Sequence, residues 1–229
     1  MSETPSPATS ARDEASAVLA DDIVEHAVTR STVEFDGAVW NIRRDVVEFG
    51  DSSITREYVE HTGAVAVLAL DDDDRVMLIK QYRHPISRRD WELPAGLLDE
   101  ANESPLAAAK RELAEEVDLE ATTWHVLTDF FTTPGGSNEA LRVFLARGVS
   151  STATPFDRFD EEAEIETRWV ALDEVVDAVL ARTVSNSILS IAALAAASSR
   201  SRAWSTLGDA DAPWPFLRRA QGPADPDPS

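Results

Sequence analysis

The segment SPLAAAKRELAEEVDL, residues 104–119, constrains the fold more than any other part of the chain. Serine followed by proline is a strong helix start. The hydroxyl can accept from an unpaired first-turn amide, and the fixed φ of proline suits the first helical position. At 100° per residue Leu106, Ala109, Leu113 and Val117 form a narrow stripe, so a helix from Pro105 to about Val117 must lay that stripe on a sheet. Glu112, Glu115 and Glu116 share an arc of about 100° on the far side of the same wheel. Like charges three and four residues apart oppose a helix by roughly 0.2–0.5 kcal/mol per pair, and these lie near the negative end of its dipole. A solvated acidic face would bear that cost, and a bound cation would relieve it. Oxygen donors without His or Cys suit a hard ion such as Mg2+. Arg111 is spaced to pair with Glu115 one turn on and hold it in place.

The flanking segments supply the sheet. Residues 29–60 alternate apolar and polar positions around Asp36-Gly37 and Gly50-Asp51, the pattern of a small antiparallel meander. GAVAVLAL and RVMLIKQYR flank the acidic turn DDDD and read as a hairpin in a covered central sheet, because both runs are almost continuously apolar. WELPAG ends a further short strand, and strands are expected again at WHVLTDFFTT, LRVFLARG and IETRWVAL. Helices are expected near LDEVVDAVLA and over 185–198. Several strands precede the first long helix, so the order predicts an α+β sandwich and not a doubly wound sheet. The expected organisation is a disordered tail at 1–15, an N-terminal β subdomain at 16–60, a main domain at 61–200 and a C-terminal extension at 201–229 with a disordered end.

Composition narrows the function. The 229 residues are 43% apolar, enough for one sizeable core with an accessory element. Acidic residues outnumber basic ones 42 to 21, for a formal charge of −21, and Lys80 and Lys110 are the only lysines. Such a field repels polyanions, which argues against nucleic acid or an anionic membrane as partner. An anionic substrate would have to be received by a local arginine or a metal. The absence of cysteine rules out disulfides, thiolate catalysis and cysteine zinc sites. The first residues lack the basic start and apolar core of a signal peptide, and the longest apolar runs are too short to span a bilayer. A cytoplasmic protein is the expectation.

GLLDEANESPLAAAKRELAEEVDL resembles the box of the Nudix hydrolases: a glycine, a later glutamate, then Arg-Glu-apolar-x-Glu-Glu-x-Gly-apolar. Gly96, Glu103, Arg111, Glu112, Leu113, Glu115, Glu116 and Leu119 match it, in the strand, loop and helix context that the motif requires. Two departures stand out. The loop between Gly96 and Glu103 is one residue longer than the common spacing, and Asp118 replaces the usual glycine after the helix. Asp tolerates a left-handed position better than most residues, at some cost relative to glycine. The longer loop is similar to that of actinobacterial ADP-ribose pyrophosphatases. QYRHPISRRDWELPAG, REYVEHTGAVAVLAL, VSNSILSIAALA and Pro134 in TTPGGSNE also resemble that subfamily, so the similarity extends over roughly residues 35–197.

The resemblance implies a Nudix α/β/α sandwich with a mixed sheet, preceded by a dimerising N-terminal sheet. It implies hydrolysis of the diphosphate of ADP-ribose to AMP and ribose 5-phosphate, dependent on Mg2+, with Mn2+ able to substitute. Metal ligands would be Glu112 and Glu116 with the Ala95 carbonyl, and Glu115 a further ligand or support. Arg111 would orient the glutamates and Glu103 the start of the helix. The catalytic base would come from the acidic segment FDRFDEEAEIETRWV, at Glu162, with Glu161 the nearest alternative and Glu164 behind it; Glu139 is a weaker candidate. Arg83 is the choice for a phosphate contact, its fork suiting phosphate oxygens. Arg56 and Tyr58 would contact adenosine across a homodimer, or serve the meander alone. His61, His84 and His125 read as surface residues, and Trp91 and Trp169 as core or strand aromatics. The competing readings are ADP-glucose, GDP-mannose or NADH as substrate, or a non-catalytic ADP-ribose-binding module. The intact glutamates speak against the module.

Overall fold

The computed structural model describes residues 19–158 and 164–217. Its first three strands, β1 (Val28–Asp36), β2 (Asn41–Phe49) and β3 (Ser52–Glu60), form the antiparallel meander expected from the alternation. Gly50 turns β2 into β3 with φ 61°, a backbone that glycine adopts without strain. The centre of the molecule is a five-stranded mixed sheet. It contains β4 (Ala64–Ala69), β7 (Ala95–Leu97), β8 (Leu119–Phe131), β9 (Ala140–Ser151) and β11 (Gly208–Asp209), in the order β11-β8-β9-β4-β7. β4 and β9 run parallel and the other neighbours antiparallel. A third sheet, β10-β5-β6, is built from β5 (Arg75–Arg83), β6 (Arg88–Glu92) and β10 (Glu166–Ala171).

All six residues of β4 are buried, and their alternation divides the core in two. Ala64, Ala66 and Leu68, with Leu141, Val143 and Leu145 of β9, face the helices α2 (Leu172–Leu180) and α3 (Ser187–Ser201). Val65, Val67 and Ala69, with Phe144 and Ala146, face Ala109, Leu113 and Val117 of α1 (Pro105–Val117). The result is the α/β/α sandwich, a sheet covered on both faces.

The hairpin expected at residues 63–83 does not form. β4 and β5 share a single bridge, Leu70 with Val76, and then enter different sheets. Both edges of β4 are already paired, with β9 and β7, so β5 finds its partners in β10 and β6. The acidic turn still folds locally. Asp71 accepts from the Asp73 and Arg75 amides at 3.0 and 2.8 Å and from Arg75 Nε at 2.8 Å.

Residues 204–217 close over the sandwich. Gly208 pairs with Val126 of β8, Trp204 and Leu207 join one half of the core, and Ala212 and Trp214 join the other. Arg142 of β9, 3% exposed, lies beneath this strap. It makes a two-pronged ion pair with Asp129 at 2.8 Å and donates to the Ala212 and Pro213 carbonyls at 2.7 and 3.2 Å. The Trp214 ring lies 4.9 Å from its guanidinium carbon. The ends expected to be disordered lie outside the described residues.

Candidate active site

Helix α1 begins and ends as its sequence dictates. The Ser104 side chain accepts from the Ala107 amide at 3.2 Å and Pro105 opens the first turn. Asp118 follows the last turn in the left-handed conformation, φ 55° and ψ 37°. The orientation of the helix differs from the amphipathic reading in one respect. Ala108 is buried as fully as Leu113, and on the helical wheel these two bracket Glu112 and Glu116. The glutamates therefore look inward, across to β7, and not away from the sheet.

Glu116 is 8% exposed and accepts from the Ala95 amide at 2.9 Å, which ties α1 to the strand edge. Glu112 takes the space next to Gly96, where a Cβ would stand 1.9 Å from its Oε1. Arg111 gathers the cluster. Nε and one outer nitrogen hold both oxygens of Glu103 at 3.0 Å, and the other outer nitrogen reaches Glu112 at 2.7 Å and Glu115 at 3.1 Å. The guanidinium hydrogen bond holds the Glu103 carboxyl below its ordinary range, and Glu103 in turn raises Arg111. Among the described residues no three His, Asp or Glu side chains already converge as a closed metal cage. The donor chemistry nevertheless fits a hard cation: three carboxylates on one helix, two of them turned toward a backbone edge that has no room for a side chain.

A second group of expected residues meets at a cleft of about 470 Å3, lined by Arg56, Tyr58, Phe131, Pro134 and the 135–138 turn. β3 and this turn are joined through their backbones: the Val59 amide donates to the Gly136 carbonyl at 2.9 Å, and the Asn138 amide to the Val59 carbonyl at 3.3 Å. Tyr58 donates to Asp45 Oδ2 at 3.1 Å, and burial together with that carboxylate pushes its phenol well above the ordinary range. Tyr58 is therefore a hydroxyl, able to donate, at neutral pH.

Arg83 is not directed toward bulk solvent alone. Its guanidinium forms a fork with Glu92 at 2.9 and 2.7 Å, and Glu92 is 4% exposed. Nothing in WELPAG marked that glutamate as buried, beyond its place between Trp91 and Leu93. Glu139 accepts from the Thr132 hydroxyl and lies 3.4 Å from His61 Nε2, so it is engaged at the junction of β3 and β4. His61 corrects the surface reading. It is buried, stacked on Trp40 at 4.2 Å, and its Nδ1 accepts from the Gly63 amide at 2.9 Å. His84 is exposed beside Tyr82, and Trp91 and Trp169 pack against the two halves of the core. Glu161 and Glu162 lie outside the described residues; the carbonyl of Glu164 accepts from Arg89 at 3.0 Å.

Fold and site together define a sandwich enzyme built on an arginine-pinned carboxylate helix. The family model described as NUDIX domain matches residues 60–190. An ADP-ribose pyrophosphatase of Mycobacterium tuberculosis is 48% identical over 153 residues, covering 66% of this chain and 73% of that one. One from Bacillus subtilis is 37% identical over 151 residues, covering 66% and 80%. A crystal structure described as an ADP compounds hydrolase superposes with a TM-score of 0.66 at 17% identity, covering 80% of this chain and 98% of the other, a likeness of fold. The chain belongs to the Nudix hydrolase family, and its similarity lies with the ADP-ribose pyrophosphatases of that family. Among the described residues no helix is long and apolar enough to cross a membrane.

Proposed function

We propose that this protein hydrolyses ADP-ribose at its diphosphate, releasing AMP and ribose 5-phosphate, as a Mg2+-dependent cytoplasmic homodimer. The observation that carries the reading is the inward-facing glutamate pair on α1, Glu112 against Gly96 and Glu116 on the Ala95 amide. Glu112, Glu116 and the Ala95 backbone would hold Mg2+, with Glu115 assisting and Mn2+ an acceptable replacement. When bound, such an ion neutralises the diphosphate oxygens and acidifies water. Arg111 offsets the repulsion between Glu112 and Glu115 and orients both carboxylates, while the Ala95 amide orients Glu116. In the reaction a water oxygen attacks phosphorus, the bond from that phosphorus to the bridging oxygen breaks, and the water proton passes to a carboxylate. Glu162, or its neighbour Glu161, is proposed as that acceptor.

Arg83 is a guanidinium already oriented by a buried carboxylate and 46% exposed, and its planar fork suits phosphate oxygens. The 470 Å3 cleft, with the Phe131 ring, the Tyr58 hydroxyl, Arg56 and Pro134, offers apolar faces and hydrogen-bonding groups for a nucleoside. Phe35, Val39 and Phe49 of the N-terminal meander are more than half exposed, at 63, 62 and 53%, which supports that sheet as the dimer contact.

The test is turnover of a panel of nucleoside diphosphate sugars and NADH, with products identified, by the wild type and by Glu116→Gln. ADP-ribose should be preferred, and Glu116→Gln should lose at least about 100-fold in kcat/KM. Preference for another substrate overturns the specificity, and an unimpaired Glu116→Gln overturns the metal assignment.

A further inference from the structure

Asp118 stands directly after the carboxylate helix, with φ 55°. Glycine would adopt that backbone at lower cost, so the aspartate side chain must provide something glycine cannot. Its Oδ1 accepts from the Phe156 amide at 2.7 Å and its Oδ2 from Arg158 at 2.7 Å, while its own carbonyl accepts from the Thr152 amide at 2.9 Å. Arg158 also donates through Nε to the Glu115 carbonyl at 2.9 Å. That places a cation on one of the open acceptors at the negative end of α1. Both side chains are more than two-thirds covered, at 28 and 23% exposure, so the pair is not an idle surface contact.

Residues 152–158 are thus fastened to the end of the helix that carries Glu112, Glu115 and Glu116. The far side of the same β9–β10 connection is held separately by Arg89 of β6, which donates to the Glu164 carbonyl at 3.0 Å and to the Glu166 carboxylate at 2.6 Å. These bonds hold residues 152–158, the described part of the chain that leaves β9, against the carboxylate end of α1.

We propose that Asp118 and Arg158 are positioning residues for hydrolysis, fastening the chain that leaves β9 to the carboxylate end of α1. The inference rests on the proposed function, in which that connection supplies the proton acceptor. The test is steady-state kinetics on whichever nucleoside diphosphate sugar the wild type turns over fastest, with Asp118→Gly, Asp118→Asn, Glu161→Gln and Glu162→Gln. Asp118→Gly relieves the left-handed residue and should fold with a Tm no lower than about 3 °C below wild type. Its kcat should fall about tenfold with KM changed less than about twofold. Asp118→Asn keeps an acceptor for the Phe156 amide and should recover part of the lost kcat. A mere helix end would leave kcat alone, so wild-type kcat in Asp118→Gly, or a loss confined to KM, overturns the inference. The proposed base is judged separately: it fails if both glutamine variants turn over at the wild-type rate, whereas the fastening stands or falls on Asp118→Gly.

Discussion

Gly96 carries no side chain, and Glu112 occupies the place where one would be. A Cβ there would meet Glu112 Oε1, Cδ and Cγ at 1.9, 2.1 and 2.5 Å, so any larger residue must displace the carboxylate. The backbone at Gly96 is ordinary and the obstructing atoms are the end of a flexible side chain. The fold should therefore absorb Gly96→Ala for about 1 kcal/mol or less, while the site does not. The expected outcome is a protein with a near-native unfolding curve, kcat/KM about tenfold lower, and a raised Mg2+ requirement in titrations at limiting metal. Wild-type activity at limiting Mg2+ would mean that the placement of Glu112 is immaterial. This residue was legible in the sequence only as a motif position. Its physical reason, a helix pressed against a strand edge, appears once α1 and β7 are seen together.

At the scale of elements, His61 joins the N-terminal meander to the central sheet. Trp40, in the turn before β2, stacks on it at 4.2 Å, the His61 amide donates to Asn138 Oδ1 at 2.8 Å, and Glu139 lies 3.4 Å from His61 Nε2. Burial lowers the imidazole pKa below the ordinary 6.5, and Glu139 opposes that shift without reversing it. A group with a lowered folded value binds more protons when unfolded, so its contribution is complete above 6.5 and is lost as pH falls from there toward the folded value. The urea midpoint should thus decline on acidification below pH 6.5, and His61→Gln should flatten that part of the profile. A midpoint that rises on acidification would mean Glu139 wins and His61 is held as a cation. The elements themselves were mostly readable. The limits of α1, its serine cap and the left-handed Asp118 follow from local sequence, because caps and 3.6-residue periodicity are decided within a few residues. The partner of β5 was not readable, because it depends on which strand edges remain open after β9 and β7 have taken β4. The inward turn of Glu112 and Glu116 was missed for a related reason: wheel analysis credits apolar side chains with burial and cannot foresee a strand edge that accepts carboxylates.

For the whole molecule the strap over Arg142 matters most. A buried guanidinium is favourable only while each partner is in place, here Asp129, two carbonyls and the Trp214 ring. Arg142→Met leaves the Asp129 carboxylate without its ion pair and frees the strap, and should lower unfolding free energy by about 2–4 kcal/mol in urea titrations. Pairing it with Asp129→Leu should return a good part of that loss, since an apolar pair of similar volume often replaces a buried ion pair at little cost. Equal losses in the single and double variants would assign the effect to the strap carbonyls alone. Alternation, apolar runs and the box sufficed to read the α+β sandwich and the carboxylate helix. The strap was not readable, since residues 208–214, GDADAPW, are short and without period, and they gain meaning only from a charge some seventy positions earlier. That separation has a temporal side. A polypeptide leaves the ribosome from its N-terminus, so β4, β9 and the glutamate helix are all made well before the segment that covers Arg142. Until residue 214 has emerged, Arg142 has Asp129 but lacks the two carbonyls and the indole ring that cover it, so the sandwich is sealed only after β4, β9 and the glutamate helix have been made.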